Sequence, residues 1–359
     1  MDRVACINQR WTYFLALGLL LVAGLWLAAA LAEEALAADD QCLACHGAPG
    51  LVLTFPSGDK LPLNVDSKAF SSSVHGDKLG CADCHSGYAA VPHPKVKAQD
   101  VREYTIALYE VCRKCHFAEY TKTLDSTHFQ VFSEGNQWAP TCVDCHGAHN
   151  VARAGQPRSG VSQTCSACHQ EVTEAYVGSV HGAALEEGNA DVPSCTDCHR
   201  SHDISDPRTA SFRQETPALC VQCHSDKPLM DKYGISTDVS KTYLADFHGS
   251  TVALEAKQSV NITPAVAVCT DCHGVHDISR VDDPDSPLIK ENLLSVCQKC
   301  HPDATANFPG AWLSHYQPSL TKAPLVFLVQ VFYRFLIPFM LVGLGLHIGL
   351  DLWRAANNR

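Results

Sequence analysis

Nine times between Cys42 and His301 the chain reads Cys-x-x-Cys-His, and this repeat leaves few folds open to it. The copies are Cys42, Cys45, His46; Cys81, Cys84, His85; Cys112, Cys115, His116; Cys142, Cys145, His146; and Cys165, Cys168, His169. They continue with Cys195, Cys198, His199; Cys220, Cys223, His224; Cys269, Cys272, His273; and Cys297, Cys300, His301. Eighteen of the 19 cysteines are used in this way. A single Cys-x-x-Cys could serve thiol exchange or half of a zinc site. Zinc would pair two such units and would not need His after every second Cys, and disulfide staples fail on the same ground. The pattern suits c-type haem: two thiols three residues apart form thioethers with the porphyrin, and the next imidazole ligates iron. The sequence predicts nine covalently bound c-type haems. Cys6 lies in the N-terminal apolar segment and reads as an unmodified residue lost on processing.

The second axial position decides whether such an iron carries electrons or binds a reactant. Outside the motifs, nine histidines precede the C-terminal apolar segment: His75, His93, His128, His149, His181, His202, His248, His276 and His315. They match the motifs in number, and Met230 is the only methionine in the same region. Their register repeats. Cys112 to His149 reads as motif, His128, Cys-x-Asp-Cys-His and then His149, and Cys165 to His202 repeats it. Cys220 to His276 is a lengthened copy, Cys42 to His93 a looser one, and Cys297 to His315 half of one. His93, between two prolines, and His315, in the half copy, fit the register less closely. With Gln170 to Ser179 helical, His169 and His181 stand about 18 Å apart and serve different irons. The expected pairing is reciprocal within a module: His202 with the haem of His169, His181 with that of His199, and His149 with that of His116. The same rule gives His128 to the haem of His146, His276 to that of His224 and His248 to that of His273.

The two ends are apolar. Tyr13 to Ala32 carries no charge, follows Arg3 and Arg10, and leads to the small-x-small pattern Ala35-Leu36-Ala37. Residues 1–37 therefore read as an export signal, cleaved after Ala37 or retained as an anchor of about 30 Å. In either case everything from Asp39 onward is exported, because the positive flank stays inside. Leu325 to Trp353, with Arg354 and Arg359 behind it, reads as a transmembrane helix opened by Pro324 and ending in a cytoplasmic tail. The expected domains are residues 1–37, a nonahaem domain over 38–320, and the helix and tail over 321–359. In the helix, His347 and Asp351 share a face, with Gly345 and Gly349 read as a neighbouring stripe. Intramembrane His and Asp are costly against lipid, so they face a partner subunit or reach the cytoplasmic headgroups near Arg354.

About 32 residues per haem cannot surround each macrocycle separately, so the haems must touch one another and supply most of the buried apolar area. The predicted fold is mainly α with much irregular loop, built from two-haem modules around a stacked haem core, plus one C-terminal transmembrane helix. Leu51 to Phe55 is the one candidate hairpin arm. A formal charge of −11 with only 27 Lys and Arg excludes a nucleic-acid partner.

The exported region resembles the multihaem cytochrome c families of bacterial respiration. The resemblance rests on the nine motifs, on Ser-Val-His-Gly at His75 and His181, and on Cys-His-Gly-x-His at His146 and His273. It implies a stacked, bis-His, conducting haem row. The chain departs from the tetrahaem quinol dehydrogenases, since no Met closely follows His46, and from the pentahaem nitrite reductases, since it has no Cys-x-x-Cys-Lys. The stretch from His315 to Arg354 looks like the juncture that leads, in fused relatives, into a cytochrome b domain, which implies a separate cytochrome b-type, quinol-linked subunit here. The expected role is electron transfer in anaerobic respiration, between that membrane partner and exported redox proteins, by a periplasmic or extracellular haem domain with no catalytic residues. The rival readings are a terminal reductase of a nitrogen or sulfur oxyanion at one open haem, and a filament-forming conductor.

Overall fold

The structure, a computed structural model, describes residues 39, 41–258, 266–289, 292–311, 315 and 317–357. The N-terminal export segment and Cys6 lie outside the described residues. Short helices dominate, linked by turns, and the one sheet among the described residues is a hairpin pairing Val52–Thr54 antiparallel to Lys60–Pro62 with Leu53 opposite Leu61. This is the hairpin arm expected at Leu51 to Phe55.

The motif helices are of two kinds. Cys81–Cys84, Cys142–His146, Cys195–His199 and Cys269–His273 are single turns. Each has Asp at its third position, and that carboxylate accepts the backbone N–H of the residue before the first Cys. The bonds are Gly80 to Asp83 at 2.8 Å, and Thr141 to Asp144, Ser194 to Asp197 and Val268 to Asp271 at 2.6 Å. A capping carboxylate at a helix N-terminus contributes about 1 kcal/mol, enough to hold a turn too short to persist alone. Three of these turns are stopped by a left-handed residue, Gly147 (φ 73°), Arg200 (φ 62°) or Gly274 (φ 83°), which swings the chain away before the next histidine. The other motifs sit at the ends of ordinary helices, as Cys112 does in Tyr109–Arg113, Cys220 in Ala210–His224 and Cys297 in Leu293–Gln298.

A third recurrent piece carries spare histidines. Ser126 caps Thr127–Ser133 and Ser179 caps Val180–Glu186, while Asp246 precedes Phe247–Gln258, so that His128, His181 and His248 each fall in a first helical turn. The glycine after His181 and His248 has a steric reason. A Cβ on Gly182 would run into the carbonyl oxygen of Tyr176, and one on Gly249 into that of Tyr243, because the incoming helix packs directly against this turn. The same tyrosines are tied forward, Tyr176 Oη donating to Pro193 O at 2.5 Å and Tyr243 Oη to Ala267 O at 3.0 Å, each acceptor two residues before a motif.

The polypeptide buries little apolar surface of its own. Among the described residues the buried apolar side chains are Phe55, Ala98, Ala139, Tyr176, Leu185, Met230, Val252, Val268 and Val296, scattered along the chain. The chain forms two compact units: residues up to Cys165 with His199–Ser205, and Ser166–Cys198 with Asp206 onward.

Pro324–Asn357 is a single helix of 34 residues containing an 18-residue stretch of mean hydropathy 2.1, long and apolar enough to cross a membrane, and it opens at Pro324 as expected. His347 Nε2 lies 3.6 Å from Asp351 Oδ2, and Arg354 is 4.0 Å from the same carboxylate. The glycines need a correction: an offset of two residues is about 200° on a helix, so Gly345 and Gly349 lie across the helix from His347 and Asp351 rather than on a neighbouring stripe.

The close approach at Gly182 makes a prediction. Gly182→Ala should destabilise the holoprotein by about 1–3 kcal/mol, as overpacking does, while Ala183→Gly on the same turn costs about 1 kcal/mol or less. Thermal unfolding followed by circular dichroism measures both, and equal effects would refute the steric reading.

Candidate haem-ligating site

Motif and spare histidines meet in pairs. In the first unit the ring centroids of His46 and His93, His75 and His116, His85 and His149, and His146 and His202 are 6.0, 6.0, 5.9 and 6.0 Å apart. In the second unit His181 and His224, His248 and His301, and His273 and His315 are 6.3, 6.4 and 6.1 Å apart. Every pair joins one motif imidazole to one spare imidazole. A metal–imidazole bond is about 2 Å and the ring centre lies roughly 1 Å beyond the ligating nitrogen, so two imidazoles on opposite faces of one metal are about 6 Å apart. The gap fits an iron in a porphyrin plane.

The ring chemistry agrees with that fit. His46 Nδ1 is 2.8 Å from Leu63 O and His93 Nδ1 is 2.8 Å from Ala90 O, contacts that engage one nitrogen as donor and leave Nε2 of each ring to ligate. Burial first, and the facing His315 second, push His273 down to about 4. Burial and the facing imidazole likewise lower His85, His146 and His181, so these rings are neutral at pH 7, as a ligand must be. Among the described residues no three His, Cys, Asp or Glu side chains cluster to hold a bare ion, so two-ligand sites suit a group that brings its own equatorial donors. On the helix carrying Cys220, Gln214 Nε2 is buried with no protein hydrogen-bond partner, a donor that a haem propionate would satisfy.

The pairs differ from the reciprocal scheme. His202 faces His146 rather than His169, His181 faces His224 rather than His199, and His149 faces His85 rather than His116. His248 faces His301 rather than His273. His116 takes His75, His146 takes His202, His224 takes His181 and His273 takes His315, which displaces the expected partners His149, His128, His276 and His248. His128, His169, His199 and His276 are engaged as well. The physical reason is local: the left-handed turns at Gly147 and Arg200 carry His149 and His202 away from their own modules. Main-chain bonds then stitch the two kinds of histidine segment together. Val74 N–H donates to Val151 O, Thr127 N–H to Ile204 O and Val180 N–H to Ile278 O, each joining the residue before one spare histidine to the second residue after another. His93 and His315, the two in the weakest register, take places equivalent to the rest.

Ring orientation separates the pairs into two classes. His181 and His248, each in a capped first helical turn, cross their partners at 54° and 50°, and His75, in a bend after Ser73, crosses at 55°. The others lie flatter, at 29° (His93), 35° (His149), 28° (His202) and 16° (His315).

The thiols give the order of the sites. In the first unit Cys42 lies beside Cys81 and Cys112 beside Cys142, while Cys84 lies near Cys112 and Cys115. In the second unit Cys220 lies beside Cys269, Cys198 near Cys220 and Cys223, and Cys272 near Cys297 and Cys300. These successive motifs are therefore spatial neighbours, either through their first thiols or through a second thiol set beside the next motif. Sequence reasoning missed two residues at these junctions, Arg102 and Arg213, which reach Asp144 at 2.9 Å and Asp271 at 2.6 Å. The readable signal was the Asp that occupies every second motif.

A sequence profile of the doubled CXXCH motif matches residues 131–174 and 186–229. The match indicates a haem-binding c-type cytochrome. Each matched stretch holds a Cys-x-Asp-Cys-His motif followed by the next motif, a frame shifted by one motif from the module read in the sequence. No solved structure matches the chain.

The pairing predicts that His202→Ala opens the haem of His146 and leaves that of His169 bis-ligated. Double variants with His146→Met or His169→Met, compared by magnetic circular dichroism of the ferric protein, separate the two. A new high-spin signal at the His169 haem would refute the pairing.

Proposed function

We propose that the protein is a membrane-anchored nonahaem c-type cytochrome that transfers electrons between a quinol-linked membrane partner and exported redox partners. The observation that carries this reading is the set of facing imidazoles. Seven motif histidines already have a second imidazole on the far side of a metal-sized gap. His169 and His199, with His128 and His276, bring the count to nine motifs and nine further ligands. When bound, each haem would supply a one-electron iron couple, and two imidazoles leave that iron no open coordination position.

The rest of the chain serves conduction. The motif turns hold successive attachment thiols next to one another, so groups fixed to them come close enough to stack. The paired histidines would hold the haem iron between them, leaving no site for a reactant. Imidazole ligation without Met favours low potentials, which suits a menaquinol-level donor. The Pro324–Asn357 helix would anchor the haem domain on the periplasmic or extracellular side, with residues 1–37 as the export segment, 38–320 as the haem domain and the C-terminus in the cytoplasm. His347 and Asp351 on one face and Gly345 and Gly349 on the other suit a helix enclosed by a cytochrome b-type subunit.

Intact mass of the purified protein should correspond to nine haems. The fully oxidised sample should be low-spin throughout, with no Soret shift on adding nitrite or cyanide, and mild-detergent extracts should carry a b-type haem protein with it. An added-ligand shift in one haem would replace this reading with that of a terminal reductase.

A further inference from the structure

Two arginines tie neighbouring motifs together by the same device in two separate places. Arg102 opens the helix Val101–Ala107, which continues through Leu108 into Tyr109–Arg113 and delivers Cys112. Its guanidinium donates to Asp144, the central residue of the next motif, at 2.9 Å, to Gln137 O at 2.5 Å and to Ala139 O. Arg213 lies near the start of Ala210–His224, which delivers Cys220. It donates to Asp271, the central residue of its own next motif, at 2.6 Å and to Val266 O at 2.7 Å. Ala139 and Val266 both stand three residues before the first Cys of the motif they serve. One arrangement lies wholly in the first unit and the other wholly in the second.

At the far end of each tied helix the chain packs against the next motif turn, Tyr109–Arg113 against Cys142–His146 and Ala210–His224 against Cys269–His273, with Cys112 beside Cys142 and Cys220 beside Cys269. The two motif helices are thus held at two points, by a guanidinium fork at one end and by their attachment residues at the other. Two points of contact remove the rocking freedom that one would leave. The planar fork is what allows one side chain to engage a carboxylate and main-chain carbonyls together, and the point charge of a lysine cannot copy it. The same aspartates cap the motif turns through Thr141 and Val268, so displacement of the arginine is felt directly at Cys142 and Cys269.

We propose that Arg102 and Arg213 are positioning residues that set the separation of the haems carried by the Cys112 and Cys142 motifs and by the Cys220 and Cys269 motifs, and through it the electronic coupling at those two steps. This rests on the electron-transfer reading above. Neither arginine touches iron; each acts through the aspartate of the neighbouring motif.

The test uses the full holoprotein with Arg102→Gln, Arg102→Lys and Arg213→Gln, and with Arg208→Gln as a control at an exposed arginine bonded to Asp206. Haem content is read by intact mass, and magnetic interaction between neighbouring ferric haems by low-temperature electron paramagnetic resonance during stepwise reduction. Arg102→Gln should lose the broadening of one haem pair and Arg213→Gln that of another, each with full haem content and a several-fold slower internal electron transfer after pulse reduction. Arg102→Lys should lie between wild type and Arg102→Gln, and Arg208→Gln should match wild type. Wild-type coupling in both glutamine variants would overturn the proposal. So would loss of a haem from either, since the arginine would then serve attachment rather than spacing. Wild type without low-spin haem would sink the electron-transfer reading itself, and the proposal with it.

Discussion

Two imidazoles facing across about 6 Å are the constraint from which the rest of this architecture follows. Each facing pair joins residues distant in the chain, His146 to His202 or His85 to His149, and a polypeptide with so few buried apolar side chains has little else to close such loops. A haem tethered through its motif would stay on the unfolded chain, so only ligation by the second, remote imidazole requires the fold and would contribute its free energy to folding. The short helices fit this: most are a turn or two long and would be marginal in isolation.

The spare histidines reach their places by two local devices. One is a capped helix start, Ser-x-His or Asp-x-His, in which the cap fixes the first turn and a following glycine at 182 or 249 lets the incoming helix press against it. The other is a left-handed stop after a motif, at Gly147, Arg200 or Gly274, which turns the chain outward before His149, His202 or His276. At the first device the imidazole planes cross at 54° (His181) and 50° (His248), and at the second they lie flatter, at 35° (His149) and 28° (His202). Main-chain bonds such as Thr127 to Ile204 join one device to the other.

Alternation runs along the motifs. Those with a central Asp alternate with those without one, and the two arginine ties fall where the first thiols of successive motifs are neighbours. The doubled motif recognised at 131–174 and 186–229 is the same alternation seen in sequence. A repeat of this kind grows by adding pairs, each leaning on its neighbours, which is how repeat proteins extend without one large core.

Much of this was legible before any fold was known. The attachment chemistry, the equality of motif and spare histidines, the mainly helical character, the hairpin at Val52–Thr54 and the apolar C-terminal helix all depend on residue type and short-range spacing, which sequence carries directly. The partners of individual histidines were not legible. A reciprocal module is the simplest closure in one dimension, but a left-handed residue at 147 or 200 redirects the spare histidine that follows it, and main-chain bonds between remote segments help set the imidazole it faces. Arg102 and Arg213 were hidden for the same reason, since their acceptors lie some forty to sixty residues away in the chain. Residue chemistry alone determined what this protein binds; only three-dimensional closure decided which ligands share a site, because that depends on where loops return and not on what they contain.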